Sequence, residues 1–240
     1  MLNIHSFESL SALNEALAQH IIQIGRQAIA RQGRFNFVLT GGSSPKTLYQ
    51  DLSSRYRDAI DWEKVFFFFG DERCVLPDHR DYNGKMADQN LLKPLGVAPS
   101  HIFYIDTTLS PAQAAADYET RIQAHFKNEP IQFDLILLGM GDDAHTASIF
   151  PGTDLIQNKT ENIAAVWVEK LQSYRISMTA ARINQAQNIA FIVFGANKAQ
   201  ALQHVLGDAE QDPNSFPAQL IRSNTANVDW FIDEAAAAGI

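Results

Sequence analysis

The sequence predicts an α/β fold, a doubly wound and mostly parallel sheet with helices on both faces, forming a single domain over residues 1–240. Three observations predict it. Short apolar runs such as Val65-Phe-Phe-Phe-Phe69 and Leu135-Ile-Leu-Leu138 read as strands covered on both faces. Segments of helical periodicity alternate with those runs, which is the pattern of right-handed β-α-β crossovers. Several runs also end in glycine turns followed by polar residues, and open α/β sheets bind ligands beyond the carboxyl ends of their strands.

The elements follow in order. Leu10, Leu13, Leu17 and Ile21 share one stripe, so a helix begins near Phe7 and runs to the vicinity of Arg31. Phe35 to Thr40 reads as a strand, Gly41-Gly-Ser-Ser44 as a turn, and Pro45 to Ser54 as a helix with proline at its first position. The strand Val65 to Phe69 runs into Gly70-Asp-Glu-Arg73, and a helix follows from Tyr82 to Leu92. Ile102 to Ile105 predicts a third strand, Pro111 to Phe126 a helix, and Ile163 to Val168 and Arg175 to Met178 further strands. Ile189 to Phe194 is another strand before a helix from Lys198 to Leu206. Gly207 to Ser215 reads as a surface connection, and Ala235 to Ala238 as the close of a last helix. Internal repeats and low-complexity segments are absent from the sequence.

Composition narrows the function. The chain is 46% hydrophobic and 19% charged, and no apolar run approaches the roughly 18 residues of a membrane helix. A formal charge of −8 repels a phosphate backbone, which argues against nucleic acid as the main partner. An anionic ligand therefore requires basic residues concentrated locally. Cys74 is the single cysteine, and the start Met1-Leu-Asn-Ile-His-Ser-Phe-Glu8 has neither a basic flank nor a long apolar segment. No internal disulfide and no secretory signal are expected, so the expected compartment is the cytoplasm.

Three turns carry candidate cations or anion donors. Gly41-Gly42-Ser43-Ser44 follows a strand and opens a helix, where free backbone N–H groups can face an anion and the Ser43 hydroxyl can join them. A plain turn with a serine cap explains those four residues equally well. Asp71-Glu72-Arg73 reads either as a structural ion-pair cluster or as part of a site, in which Arg73 suits bidentate phosphate recognition and Asp71 suits orientation of an imidazole. Gly195-Ala-Asn-Lys198 sets a lysine against a helix dipole, which either a bound anion or plain hydration offsets. Arg175, entering its strand, is a further candidate.

His145 is the sharpest case. It stands among Gly139, Gly141, Asp142, Asp143 and Thr146, where a carboxylate can hold the imidazole and keep it neutral near physiological pH, as a general base requires. The sequence lacks H-E-x-x-H, histidine pairs one helical turn apart and a second cysteine, so a metal-free site is expected. Ser148 lacks the G-x-S-x-G elbow of a nucleophilic serine.

Together these segments resemble the 6-phosphogluconolactonase family. The resemblance rests on Leu39-Thr-Gly-Gly-Ser-Ser-Pro-Lys-Thr-Leu-Tyr49, Gly70-Asp-Glu-Arg-Cys-Val75, Gly139-Met-Gly-Asp-Asp-Ala-His-Thr-Ala-Ser-Ile-Phe-Pro-Gly152 and Gly195-Ala-Asn-Lys-Ala199, in that order. Arg175-Ile-Ser-Met-Thr179, Pro217-Ala-Gln-Leu-Ile221 and Asp229-Trp-Phe-Ile-Asp-Glu-Ala-Ala236 extend it over nearly the whole chain. It implies a phosphorylated sugar lactone as partner, hydrolysis without metal or organic cofactor, and a monomer. By that match His145 is the acid/base residue and Asp71 its partner in the site, while Gly41, Gly42, Ser43, Arg73, Arg175 and Lys198 bind substrate. Ala144 stands where the family has glycine, Ser44 where it has threonine, Tyr82 where it has serine, and Ser173-Tyr174 where a proline-containing lead-in is common. Ala144 is the departure with a physical consequence, because a Cβ disfavours positive φ.

Two rivals remain. An amino-sugar-phosphate deaminase or isomerase resembles the chain in its glycine loop, but carries a glutamate where Phe150 stands and a tyrosine where Arg73 stands. A non-catalytic sugar-phosphate sensor would keep the anion site without turnover.

Overall fold

The computed structural model describes residues 2–127, 129–207, 210–223 and 226–240. Among the described residues nine strands and seven α-helices follow in the order β1 (Leu2–Phe7), α1 (Leu10–Gln32), β2 (Phe35–Leu39), α2 (Lys46–Ser53), β3 (Val65–Phe69), β4 (Asp71–Arg73), α3 (Asn83–Ala87), α4 (Lys93–Leu95), α5 (Pro111–Phe126), β5 (Leu135–Gly139), β6 (Ile163–Val168), β7 (Ser173–Met178), α6 (Ala180–Ile183), β8 (Asn188–Val193), α7 (Ala199–Leu206) and β9 (Asn227–Asp233). A π-helical turn, Asp88–Leu92, joins α3 to α4.

Six strands form one sheet in the order β1-β9-β8-β5-β2-β3, and every neighbouring pair is parallel. Parallel pairing demands long crossovers and cover on both faces, and β2 accordingly has all five residues buried. The chain builds outward from β2 to β3, then returns to the other side of β2 with β5. The strand order thus reverses between β2 and β5, and such a switch point opens a crevice at the strands' carboxyl ends. Helix α1 supplies much of the cover, burying Leu13, Leu17 and Ile21 as its periodicity predicts. The Ser9 hydroxyl caps it by accepting the Ala12 N–H at 3.2 Å.

Four expectations need correction. Ile163–Val168 and Arg175–Met178 do not join the main sheet; with Asp71–Arg73 they form a separate antiparallel sheet in the order β4-β7-β6. Only a short turn of 3-10 helix, Glu169–Leu171, joins β6 to β7, too little chain for a parallel crossover. Ile102–Ile105 is no strand: Ile102 makes one bridge to Phe67, and the Phe103 ring stacks on Phe68 at 4.4 Å to cover the sheet edge.

Near the two chain ends, Leu2–Phe7 and Asn227–Asp233 are strands. β1 and β9 pair over their length although they lie at opposite ends of the sequence. Ala235–Ala238 forms only turns, with the Asp233 carboxylate accepting the Ala236 N–H at 2.8 Å, because a few residues cannot repay helix nucleation. Of the expected surface connection Gly207–Ser215, residues 208 and 209 lie outside the described residues. No described helix is long and apolar enough to cross a membrane.

Candidate active site

At the switch point lies a cleft of about 510 Å³ lined by residues from each of the turns singled out above, including Gly41, Gly42, Ser43, Asp71, Arg73, His145, Arg175 and Lys198. The structure therefore brings every expected site residue to one place. They divide into two ends, one built around an imidazole and one around cations.

The imidazole end is a single turn after β5. His145 Nδ1 lies 2.5 Å from Asp143 Oδ1, and the same oxygen accepts the His145 N–H at 3.3 Å. Asp143 Oδ2 accepts from Lys170 Nζ at 2.9 Å. Burial pushes the Asp143 carboxyl up, but the bonds from His145 and Lys170 outweigh it and hold the group well below the ordinary carboxylate range. With Nδ1 engaged, Nε2 has no partner among the described residues and can take or return a proton. The ring stacks on Phe150 at 4.0 Å, so the position where a deaminase places glutamate is here an apolar platform.

Backbone shape makes this turn possible. A Cβ on Gly141 would lie 2.0 Å from His145 Nδ1 and 2.5 Å from Asp143 Oδ1, so the absence of a side chain lets the pair lie against the main chain. Ala144 adopts φ 58°, in the left-handed region, and is fully buried. The departure from glycine therefore places an L-residue where it costs about 1 kcal/mol or more. The turn is nevertheless held, since the Gly141 N–H donates to the His145 carbonyl at 2.8 Å and the Ala218 N–H to the Ala144 carbonyl at 2.9 Å.

The cationic end is assembled from distant segments. β4 pairs with β7 so that Arg73 stands opposite Arg175. The Nε atoms of both are buried without a hydrogen-bond partner. Burial, then repulsion from Arg73, lowers the Arg175 pKa. Two like charges held side by side with unsatisfied donors form a cradle for an anion. Lys198 also lines the cleft, and its ammonium has no ion-pair or hydrogen-bond partner among the described residues, while its backbone N–H donates to the Gly195 carbonyl at 3.0 Å. The Ser43 and Ser44 N–H groups, at the start of α2, are likewise unpartnered among the described residues. Gly42 differs from expectation: its N–H is engaged, donating to Asn83 Oδ1 at 3.2 Å.

Asp71 also departs from expectation. Its Oδ2 accepts from the Ser148 hydroxyl at 2.6 Å, and the carboxylate bonded to the imidazole is Asp143. Asp143 was visible two residues before the histidine, but Asp71, Asp142 and Asp143 could be ranked only once the turn's shape was known. Lys170 had no signal, being an exposed lysine on a chain turn. Among the described residues no cluster of three or more His, Cys, Asp or Glu is placed to hold a metal ion.

Fold and geometry together define an α/β enzyme-like site: an imidazole and an anion cradle sharing the switch point of a parallel sheet. A sequence profile of the glucosamine-6-phosphate isomerases/6-phosphogluconolactonase family matches residues 8–230. The 6-phosphogluconolactonase of Nostoc sp. is 39% identical over 215 residues, covering 88% of this chain and 87% of that protein. The probable 6-phosphogluconolactonase 1 of Arabidopsis thaliana is 34% identical over 250 residues, covering 97% and 91%. The crystal structure of the devB protein superposes with a TM-score of 0.89 at 31% identity, covering 100% of both chains. The chain belongs to the glucosamine-6-phosphate isomerases/6-phosphogluconolactonase family.

Proposed function

We propose that this chain is a 6-phosphogluconolactonase, hydrolysing 6-phospho-D-glucono-1,5-lactone to 6-phosphogluconate. The observation that carries the reading is the placement of a carboxylate-held imidazole and a pair of guanidinium groups with unpartnered Nε donors in one cleft. The lactonase relatives support the choice of substrate. The deaminase alternative has no proton-transfer group at Phe150, whose ring stacks on His145.

In the proposed reaction, Arg73, Arg175, Lys198 and the glycine-serine loop hold the substrate phosphate, which fixes the lactone carbonyl near His145. Asp143 fixes the imidazole with its Nδ1 engaged. Neutral His145 takes a proton at Nε2 from water as the water oxygen bonds to the carbonyl carbon. The tetrahedral intermediate then collapses, the bond from carbon to ring oxygen breaks, and the imidazolium returns its proton to that oxygen. Asp71, bonded to Ser148, serves the wall of the cleft between the two ends. Neither metal nor organic cofactor takes part in this scheme. We place the reaction in the cytoplasm and take the monomer as the working unit.

The direct test is lactone hydrolysis above the spontaneous background. His145→Ala should lower the enzymatic rate by about 10²–10⁴-fold. Equal rates for the two proteins would remove His145 as the base, and retained binding of 6-phosphogluconate without turnover in the wild type would make the chain a sensor.

A further inference from the structure

The proposed reaction leaves one buried acid of the cleft wall without a task. Glu72 is 1% exposed and flanks Arg73, yet among the described residues no cation forms an ion pair with it. Its Oε1 accepts the N–H groups of Arg73 at 2.7 Å and Asn83 at 2.8 Å, and its Oε2 accepts the Gly84 N–H at 2.9 Å. One carboxylate thereby ties β4 to the first turn of α3. Burial pushes its pKa up to about 8, against the pull of those three N–H groups and with the help of the Asp71 charge.

The tie reaches the anion cradle by two routes. Asn83, fixed by its N–H bond to Glu72, donates through Nδ2 to the Asp71 carbonyl at 3.0 Å and accepts the Gly42 N–H at Oδ1. Its amide lies flat on the glycine loop: a Cβ on Gly41 would fall 2.1 Å from Asn83 Cγ. The second route runs through Arg73, whose Nη1 donates to the Asp81 carbonyl at 2.7 Å, two residues before Asn83 in the same segment. The glycine loop and the guanidinium are therefore referenced to one buried group, although they come from different strands.

We infer that Glu72 is a positioning residue of the phosphate end, setting the Gly41–Gly42 loop through Asn83 and the Arg73 guanidinium through the segment Asp81–Asn83. The inference rests on the reading of that end as a phosphate site. Above its raised pKa the ionised Glu72 group accepts at both oxygens, which suits the role, whereas a glutamine offers one acceptor and turns an N–H toward an N–H at every pH. Glu72→Gln keeps the size of the side chain and removes that match.

The experiment, run above pH 8 where Glu72 is ionised, measures inorganic phosphate affinity, and kcat/KM for the phosphorylated lactone relative to its unphosphorylated analogue, in wild type, Glu72→Gln, Asn83→Ala, the double variant and Arg73→Ala. Glu72→Gln should weaken phosphate and lower the kcat/KM ratio by about tenfold, with the loss in KM. Asn83→Ala should do the same, and the double variant should fall short of the product of the single effects, because the residues share one route. A ratio unmoved in Glu72→Gln, or equal losses for both lactones, would overturn the inference while a weakened Arg73→Ala leaves the phosphate reading standing. Should Glu72→Gln fail to fold, Asn83→Ala decides by the same criteria. If Arg73→Ala binds phosphate like the wild type, the phosphate reading fails and this inference with it.

Discussion

The two ends of the cleft are built on opposite principles. The imidazole end is local: Gly141, Asp143, Ala144 and His145 belong to one turn, and the decisive bond spans two residues. The cationic end is global, joining the loop after β2, the small sheet that pairs Arg73 with Arg175, and the turn before α7. A local site concentrates its strain in a few backbone angles, as at Ala144. A global site depends on buried ties that carry no chemistry, as Glu72 does. The two ends should therefore fail in different ways.

The largest effect should come from filling the space under the imidazole. Gly141→Ala puts a Cβ where His145 Nδ1 and Asp143 Oδ1 now lie. We expect kcat to fall by about 10²-fold or more while phosphate affinity stays within a factor of about two. A parallel loss of phosphate affinity, followed by calorimetric titration, would show that the ends are not separate.

Acid and base should also separate them. Asp143 is held below the ordinary carboxylate value of 3.8, so its contribution to stability is present above that pH and is lost as the pH falls through the folded value. Glu72 is raised from 4.5 to about 8, so between those values the folded chain keeps a proton that the unfolded chain releases, and stability falls as pH rises. Urea unfolding across pH should show Asp143→Asn losing the acid-side slope and Glu72→Gln losing the slope in the neutral range. Identical profiles for the two variants would contradict the assignment of opposite signs.

The smallest effect concerns strain alone. Ala144→Gly relieves the positive φ but loses a buried methyl and gains unfolded-state entropy, leaving a net stabilisation below about 1 kcal/mol. A destabilisation in urea unfolding would mean that the methyl's packing outweighs the strain.

What the sequence revealed follows the same division. The strand, glycine turn and histidine around residue 145 were legible because all their parts are contiguous, and the φ of Ala144 was foreseeable from the glycine it replaces. The cations were legible one by one, each with a plausible alternative, because what unites Arg73 and Arg175 is an antiparallel register formed by residues about a hundred positions apart. Strand periodicity does not say which sheet a strand joins, so the sequence does not separate that small sheet from the main one. Asp71 suits an imidazole in the sequence as well as Asp143 does, because chemistry alone cannot rank neighbouring carboxylates. Glu72 and Asn83 were invisible as functional residues, since their work is done on backbone groups. β1 and β9 escaped because each needs the other, from opposite ends of the chain, to become a strand.

The most direct test of a two-ended cleft compares kcat/KM for the phosphorylated lactone and its unphosphorylated analogue in Arg73→Ala and His145→Ala. Arg73→Ala should penalise the phosphorylated lactone by about tenfold or more and barely affect the other, whereas His145→Ala should lower both by the same factor. Equal losses for both lactones in Arg73→Ala, or full turnover in His145→Ala, would contradict the account.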